Sequence, residues 1–243
     1  MEKTTPSKAD QLLKLDYNEK NEIWLSSQVT LRKLVGILGV LMPLLLFIFL
    51  FIDTNYSSLL ESISHYYYTR AAGVFVIIIS LLAIFLLVYK GHARVDFYVS
   101  AIAGIFALLV VLFPTNNIST ICPDPENNYY SVTILKASPF RQHFHYVSAG
   151  IFLLSLAYMS FFLFTRSDKP AADRTPAKKL RNKIYRFCGV MMVLAILVIF
   201  AGFLGCINEP FYTDHHLTFW METVAVEFFG LSWLIKAEVL LKD

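Results

Sequence analysis

Six long apolar runs constrain the fold of this chain more than any other feature. They cover approximately residues 35–52, 71–89, 97–114, 144–165, 188–205 and 217–235. As a helix, each could cross a hydrocarbon layer of roughly 30 Å. Backbone polar groups in lipid must be paired within helices or closed barrels, and continuous apolar runs favour helices. The runs therefore predict an all-α fold, a polytopic transmembrane bundle of six helices.

The composition agrees with a membrane protein. The chain has 243 residues, of which 56% are hydrophobic and only 16% charged. A soluble domain of this size seldom reaches that level, because it must cover its surface with polar groups. The first 30 residues are polar, so we expect the first run to be a membrane span and not a cleaved signal peptide. We predict a transmembrane domain over 34–236, a cytoplasmic tail or interfacial helix over 1–33, and a cytoplasmic tail over 237–243.

Positive charges divide unequally between the two ends of the predicted helices. Of the 21 Lys and Arg residues, all but Arg70, Lys136 and Arg141 fall on one side. Cytoplasmic loops carry an excess of Lys and Arg, so both termini should be cytoplasmic. Because orientation in the membrane explains the basic segments, we expect no binding to nucleic acid.

Three loops then face outward, approximately 53–70, 115–142 and 206–216. Cys122 and Cys206 lie in the second and third of these loops. A disulfide between them would fit an oxidising compartment outside the membrane.

Many of the polar groups gather at this predicted outer face. The candidate binding or proton-carrying residues are Glu61, Ser64, His65, Arg70, His145, Glu222 and Glu227. His65 and His145 could be polar anchors or proton acceptors, with Glu222 as their carboxylate partner. Arg70 could hold an anionic group such as a lipid phosphate.

The same face holds five of the six histidines and could form a zinc site. The candidate ligands are His65, His143, His145, His215 and His216. Three ligands and one open position would let zinc activate a water molecule. On a helix His143 and His145 would point about 200° apart and His215 and His216 about 100° apart, so at most one member of each pair is expected to face inward.

A simpler interpretation needs no site. Histidine, tyrosine and tryptophan are favoured at the membrane interface, where the apolar ring contacts lipid and the polar tip contacts water. In that case the three tyrosines of "HYYYT" belong to an interfacial aromatic belt.

The sixth run carries two carboxylates, Glu222 and Glu227. An ionisable group inside the bilayer usually faces the bundle or water and has a partner. Five residues separate the two, which turns them about 140° apart on a helix. Further along, Gly230 and Ser232 would permit close approach of another helix.

Several segments resemble a bacterial multi-pass family. They are "SISHYYYT", "FPT" at 113–115, "HYVSAGIFLL" from His145, "NKIYRFCG" at 182–189 and "ETVAVEFFGLSWLIK" from Glu222. The pattern resembles the uncharacterised membrane proteins grouped as domain of unknown function 998. The resemblance implies a bacterial inner-membrane protein, brings no established activity, and favours His145 as the inward histidine of its pair.

A second comparison, with the ceramidase-like membrane hydrolases, is less close. Those enzymes also place Ser, Asp and His near one membrane face, but their paired histidines lie three residues apart on a late helix. Here His215 and His216 are adjacent and Asp96 falls on the cytoplasmic side.

Three functions remain open at this point. The first is a His- and Glu-lined polar pocket on the outer face that binds or moves a small molecule, a lipid or protons. The second is a metal-dependent or acid–base hydrolase acting on a lipid or lipid-linked substrate. The third is a non-catalytic subunit that needs a protein partner or oligomer.

Overall fold

The computed structural model describes residues 28–52, 59–118, 131–167, 170, 172–239 and 241. These residues form helices and connections without a strand, and an isolated bridge joins Thr69 to Ser131. The predicted all-α fold is thereby confirmed.

Seven α-helices and one 3₁₀-helix make up this part of the chain. They are α1 (Gln28–Phe51), the 3₁₀-helix (Ile63–Tyr68), α2 (Ala72–Val88), α3 (Arg94–Leu112), α4 (Pro139–Tyr158), α5 (Pro176–Phe203), α6 (Glu209–Asp214) and α7 (Leu217–Lys236). A π-helical turn, Met159–Leu163, extends α4. Residues 28–33, which the sequence assigned to the N-terminal segment, begin α1, and the rest of that segment lies outside the described residues.

Four of these helices are long and apolar enough to cross a membrane: α1, α3, α4 with its π-helical turn, and α5. Helix α2 is apolar but has only 17 residues. Helix α7 has 20 residues and carries two carboxylates. These four helices indicate a membrane protein. The number of six spans and the N-in, C-in orientation stay predictions.

The six long helices alternate in direction, so that the bundle has two chemically different ends. At one end the 3₁₀-helix meets the start of α7 and the segment after α3. At the other end Arg166 pairs with Asp96 at 3.1 Å, and Arg181 pairs with Glu238 at 3.1 Å. We call these the histidine end and the basic end. The predicted outer segments 61–70 and 214–216 thus share one end.

The first and last long helices cross closely through glycine. A Cβ atom on Gly39 would lie 3.0 Å from the Cα of Gly230, and one on Gly230 would lie 2.7 Å from the backbone nitrogen of Val40. Only a residue without a side chain fits here, which is how small residues bring membrane helices together. The close approach that the sequence predicted at Gly230 is therefore made with α1.

Two of the helices begin at conventional caps. Ser138 accepts a hydrogen bond from the Arg141 amide at the start of α4, and Thr175 accepts one from the Lys178 amide at the start of α5. Proline follows each cap, at a position where the missing N–H is not needed. The cap at Ser138 fixes where α4 starts and hence where His145 falls.

Candidate functional site at the histidine end

In the 3₁₀-helix, most side chains of the stretch "ISHYYY" point into the bundle. Ser64, His65, Tyr66 and Tyr68 are all buried. The Tyr68 hydroxyl donates a hydrogen bond to the carbonyl of Thr115, which follows α3. The interpretation of an interfacial belt therefore does not hold for Tyr66 and Tyr68, which pack in the core.

His65 is the central side chain of this end, and it is only 6% exposed. Its Nδ1 lies 2.7 Å from the Oγ of Ser62, and its Nε2 lies 3.6 Å from a carboxylate oxygen of Glu61. Burial lowers the pKa of His65 below its ordinary value of 6.5, and the charge of Glu61 opposes this only in part. The imidazole is therefore neutral at pH 7.

No hydrogen bond within 3.5 Å reaches the Nε2 of His65 in the part of the chain that the structure describes. The side chain of Asn116 lies nearby. Buried polar atoms nearly always have a partner, so this nitrogen is a position where a ligand or water would be stabilised.

His145 is a second buried histidine of this end and belongs to α4. It is 2% exposed, and its Nδ1 contacts the carbonyls of Phe113 at 2.8 Å and Val110 at 3.2 Å. A carbonyl oxygen only accepts, so Nδ1 carries the proton and the Nε2 of a neutral ring keeps a lone pair.

Glu222 belongs to the same end but has a different partner from the one that the sequence suggested. Its carboxylate accepts a hydrogen bond from the amide of Ile63 at 2.6 Å, and the Ser64 backbone also bonds to it. Glu222 thereby fastens the 3₁₀-helix to α7. The carboxylate next to the His65 imidazole is that of Glu61.

The other outer histidines do not join the cluster. His143 is exposed and bonds through Nδ1 to the carbonyl of Pro139, and His215 is exposed and bonds to that of Phe211. His216 precedes α7 in the left-handed region, with φ 48°. Among the described residues no three His, Cys, Asp or Glu side chains are grouped to hold a metal. The zinc site stays a prediction.

The remaining candidates lie apart from this cluster. Glu227 is exposed on the outer surface of α7, and Arg70 is exposed at the histidine end. Cys206 is exposed and forms no disulfide with another described cysteine. Cys122 lies outside the described residues, so the disulfide also stays a prediction.

A polar cleft of about 280 Å³ lies next to the cluster, between the segment after α3 and the start of α4. Its lining includes Asn116, Asn117, Ser138, Arg141 and Gln142. Arg141 donates to the carbonyls of Pro114 at 3.1 Å and Lys136 at 2.8 Å, so its guanidinium holds the loop in place. Asn116 belongs both to this cleft and to the surroundings of His65.

Sequence reasoning missed two members of the site, Ser62 and Asn116. It selected Ser64, whereas Ser62 is the serine whose hydroxyl contacts His65. Ser62 and His65 are three residues apart, which is the repeat of a 3₁₀-helix, so this spacing could have indicated that the two side chains meet. Nothing in the sequence near Asn116 pointed to His65, because the contact joins two separate loops.

Comparisons of the chain with protein-family models, with curated proteins and with solved structures gave no match. The resemblance to domain of unknown function 998 therefore stays a prediction.

Proposed function

We propose that this membrane protein binds a lipid headgroup that carries a primary amine, at the histidine end. One observation carries the proposal: the imidazoles of His65 and His145 are both buried at this end, and no hydrogen bond from another described residue within 3.5 Å reaches the Nε2 of His65. An unsatisfied buried polar atom costs roughly 1–3 kcal/mol. A ligand that supplies the missing partner offsets that cost.

When the Nδ1–H of His65 donates to the Ser62 hydroxyl, its Nε2 keeps a lone pair, and the site then favours a hydrogen-bond donor as ligand. Glu61 supplies a carboxylate beside the His65 ring, and His145 supplies a ring lone pair. The neighbouring guanidinium, that of Arg141, already donates to two carbonyls. An ammonium group has three N–H donors for such acceptors, and Arg70 places a positive charge at the same end for the phosphate of the same lipid.

Native mass spectrometry of protein in mixed nanodiscs tests this proposal. The probes are phosphatidylethanolamine, whose headgroup has N–H donors, and phosphatidylcholine, whose headgroup has none. We expect the wild-type protein to retain phosphatidylethanolamine roughly tenfold better, since one charged hydrogen bond contributes about 1.4 kcal/mol. The His65→Gln variant should lose this preference.

The matched control is His143→Gln, which changes an exposed histidine of the same end. It should keep the preference in full. Equal retention of the two lipids by the wild-type protein, or the same loss in both variants, contradicts the proposal.

One further observation favours a second candidate, an acid–base hydrolase. The Ser62 hydroxyl, the His65 imidazole and the Glu61 carboxylate lie in series, at 2.7 Å and 3.6 Å. In this order the imidazole could take the serine proton while the carboxylate stabilises the imidazolium that forms. It ranks second because Ser62 is only 6% exposed.

Labelling with a fluorophosphonate tests the hydrolase. An activated serine attacks the phosphorus and expels fluoride, so we expect a stable adduct on Ser62 in the wild-type protein. Labelling should disappear in Ser62→Ala and in His65→Gln, and persist in Ser64→Ala. An unlabelled wild-type protein, or an adduct on another serine, removes this candidate.

A further inference from the structure

We infer a second lipid site, for an anionic phospholipid, in a cleft at the basic end. The cleft lies where the chain passes from α2 to α3 and has a volume of about 650 Å³. Three basic side chains line it, Lys90, His92 and Arg94, together with the apolar or aromatic residues Val88, Phe97 and Tyr98. It lies at the opposite end from His65 and does not depend on the function proposed there.

The loop that carries these basic residues has a fixed backbone. Gly91 has φ +66°, a conformation that residues with a side chain rarely adopt. The carboxylate of Asp96 accepts hydrogen bonds from the amides of His92 at 2.7 Å and Ala93 at 3.2 Å. The cleft is therefore shaped by bonds within the protein and does not need a ligand to form it.

The charge of Asp96 is already balanced inside the protein. Asp96 is buried and pairs with Arg166 at 3.1 Å. In contrast, Lys90 and Arg94 are exposed, and neither side chain makes an ion pair or hydrogen bond within the described ranges. Two cations without a counter-charge thus border the same cleft.

The apolar side of the cleft indicates a lipid instead of a soluble anion. Val88, the last residue of α2, is 61% exposed, and Phe97 and Tyr98 are 41% and 63% exposed in the first turns of α3. A phosphodiester held between Lys90 and Arg94 would place its acyl chains along these residues. Basic pockets between membrane helices bind anionic headgroups in this way.

The net charge of the ligand follows from the same residues. A zwitterionic headgroup would bring its own cation towards Lys90 and Arg94, which repels it. Phosphatidylglycerol has the phosphate without a cation. Each basic side chain near a membrane surface strengthens anionic lipid binding about fivefold, so two should give a preference of about thirtyfold.

Lipid exchange in nanodiscs, followed by native mass spectrometry, tests the inference. The probes are phosphatidylglycerol and phosphatidylcholine at equal amounts. The wild-type protein should retain phosphatidylglycerol about thirtyfold better, and the double variant Lys90→Gln, Arg94→Gln should lose most of this preference. The charge-preserving exchange Lys90→Arg, Arg94→Lys should retain it.

The matched control is the double variant Lys179→Gln, Lys183→Gln. Both of its lysines are exposed near the start of α5, and it lowers the net charge by the same amount. It should keep the preference, and soluble glycerol 3-phosphate should not displace the lipid. An equal loss in both double variants would show a general surface-charge effect, and displacement by glycerol 3-phosphate would show a soluble-anion site; either result overturns the inference.

Discussion

Replacing Gly230 with alanine should lower the stability of the folded protein by about 3 kcal/mol, the upper range for overpacking a well-packed core. The added Cβ atom would lie 2.7 Å from the backbone nitrogen of Val40 and 2.8 Å from the carbonyl oxygen of Gly36. Both are backbone atoms of α1, so no side chain can turn away and the two helices must separate. Thermal unfolding of the purified protein in one detergent measures the effect.

The control for this change is Gly150→Ala in α4. Apart from the backbone of α4 itself, no atom of the described residues lies within 4 Å of a Cβ at Gly150, so this substitution meets no obstacle. Alanine has a helix propensity better than that of glycine by about 1 kcal/mol, and the control should unfold at the same temperature or slightly higher. If the two variants unfold at the same temperature, the close contact between α1 and α7 is not present.

Replacing Glu222 with alanine should have the next largest effect, a loss of about 2 kcal/mol. The amide of Ile63 would lose its acceptor, and the 3₁₀-helix would lose its bond to α7. Amide hydrogen exchange over residues 63–68 should become faster, and the midpoint of thermal unfolding should fall. The unfolding midpoint of Glu222→Gln should lie between those of the wild-type protein and Glu222→Ala, because glutamine keeps one acceptor oxygen.

Glu227→Ala is the comparison for that variant, since it removes a carboxylate from the same helix. Glu227 is exposed, and its carboxylate makes no hydrogen bond or ion pair with any other described residue. Its removal should leave the unfolding midpoint and the exchange at 63–68 unchanged. Equal effects of the two alanine substitutions would rule out the specific bond between Glu222 and the 3₁₀-helix.

The sequence was enough to predict which segments meet at the same end of the bundle. Apolar run lengths locate the helices, and alternation of direction then brings His65, His145 and Glu222 together although up to 157 positions separate them in the chain. The structure shows that Glu222 contacts the backbone next to His65. This part of the prediction needed only the order of runs and loops.

The direction in which each side chain points was much harder to predict. In a soluble protein, the polar face of a helix indicates which side is exposed. Lipid and protein core are both apolar, so an apolar run such as α2 does not indicate which of its faces is buried. The same ambiguity placed Tyr66 and Tyr68 in an interfacial belt, whereas both are fully buried. Glu227 was expected to have a partner, yet it lies on the surface of α7.

The crossing at Gly39 and Gly230 has a consequence for biosynthesis. Among the described helices α1 leaves the ribosome before the others, but it packs most extensively against α7, which comes last in their order. At 5–20 residues per second, roughly 10 to 40 seconds pass between the two helices. During that interval the glycine surface of α1 is held by the insertion machinery or contacts lipid, so α1 can reach its native packing only after α7 has been synthesised.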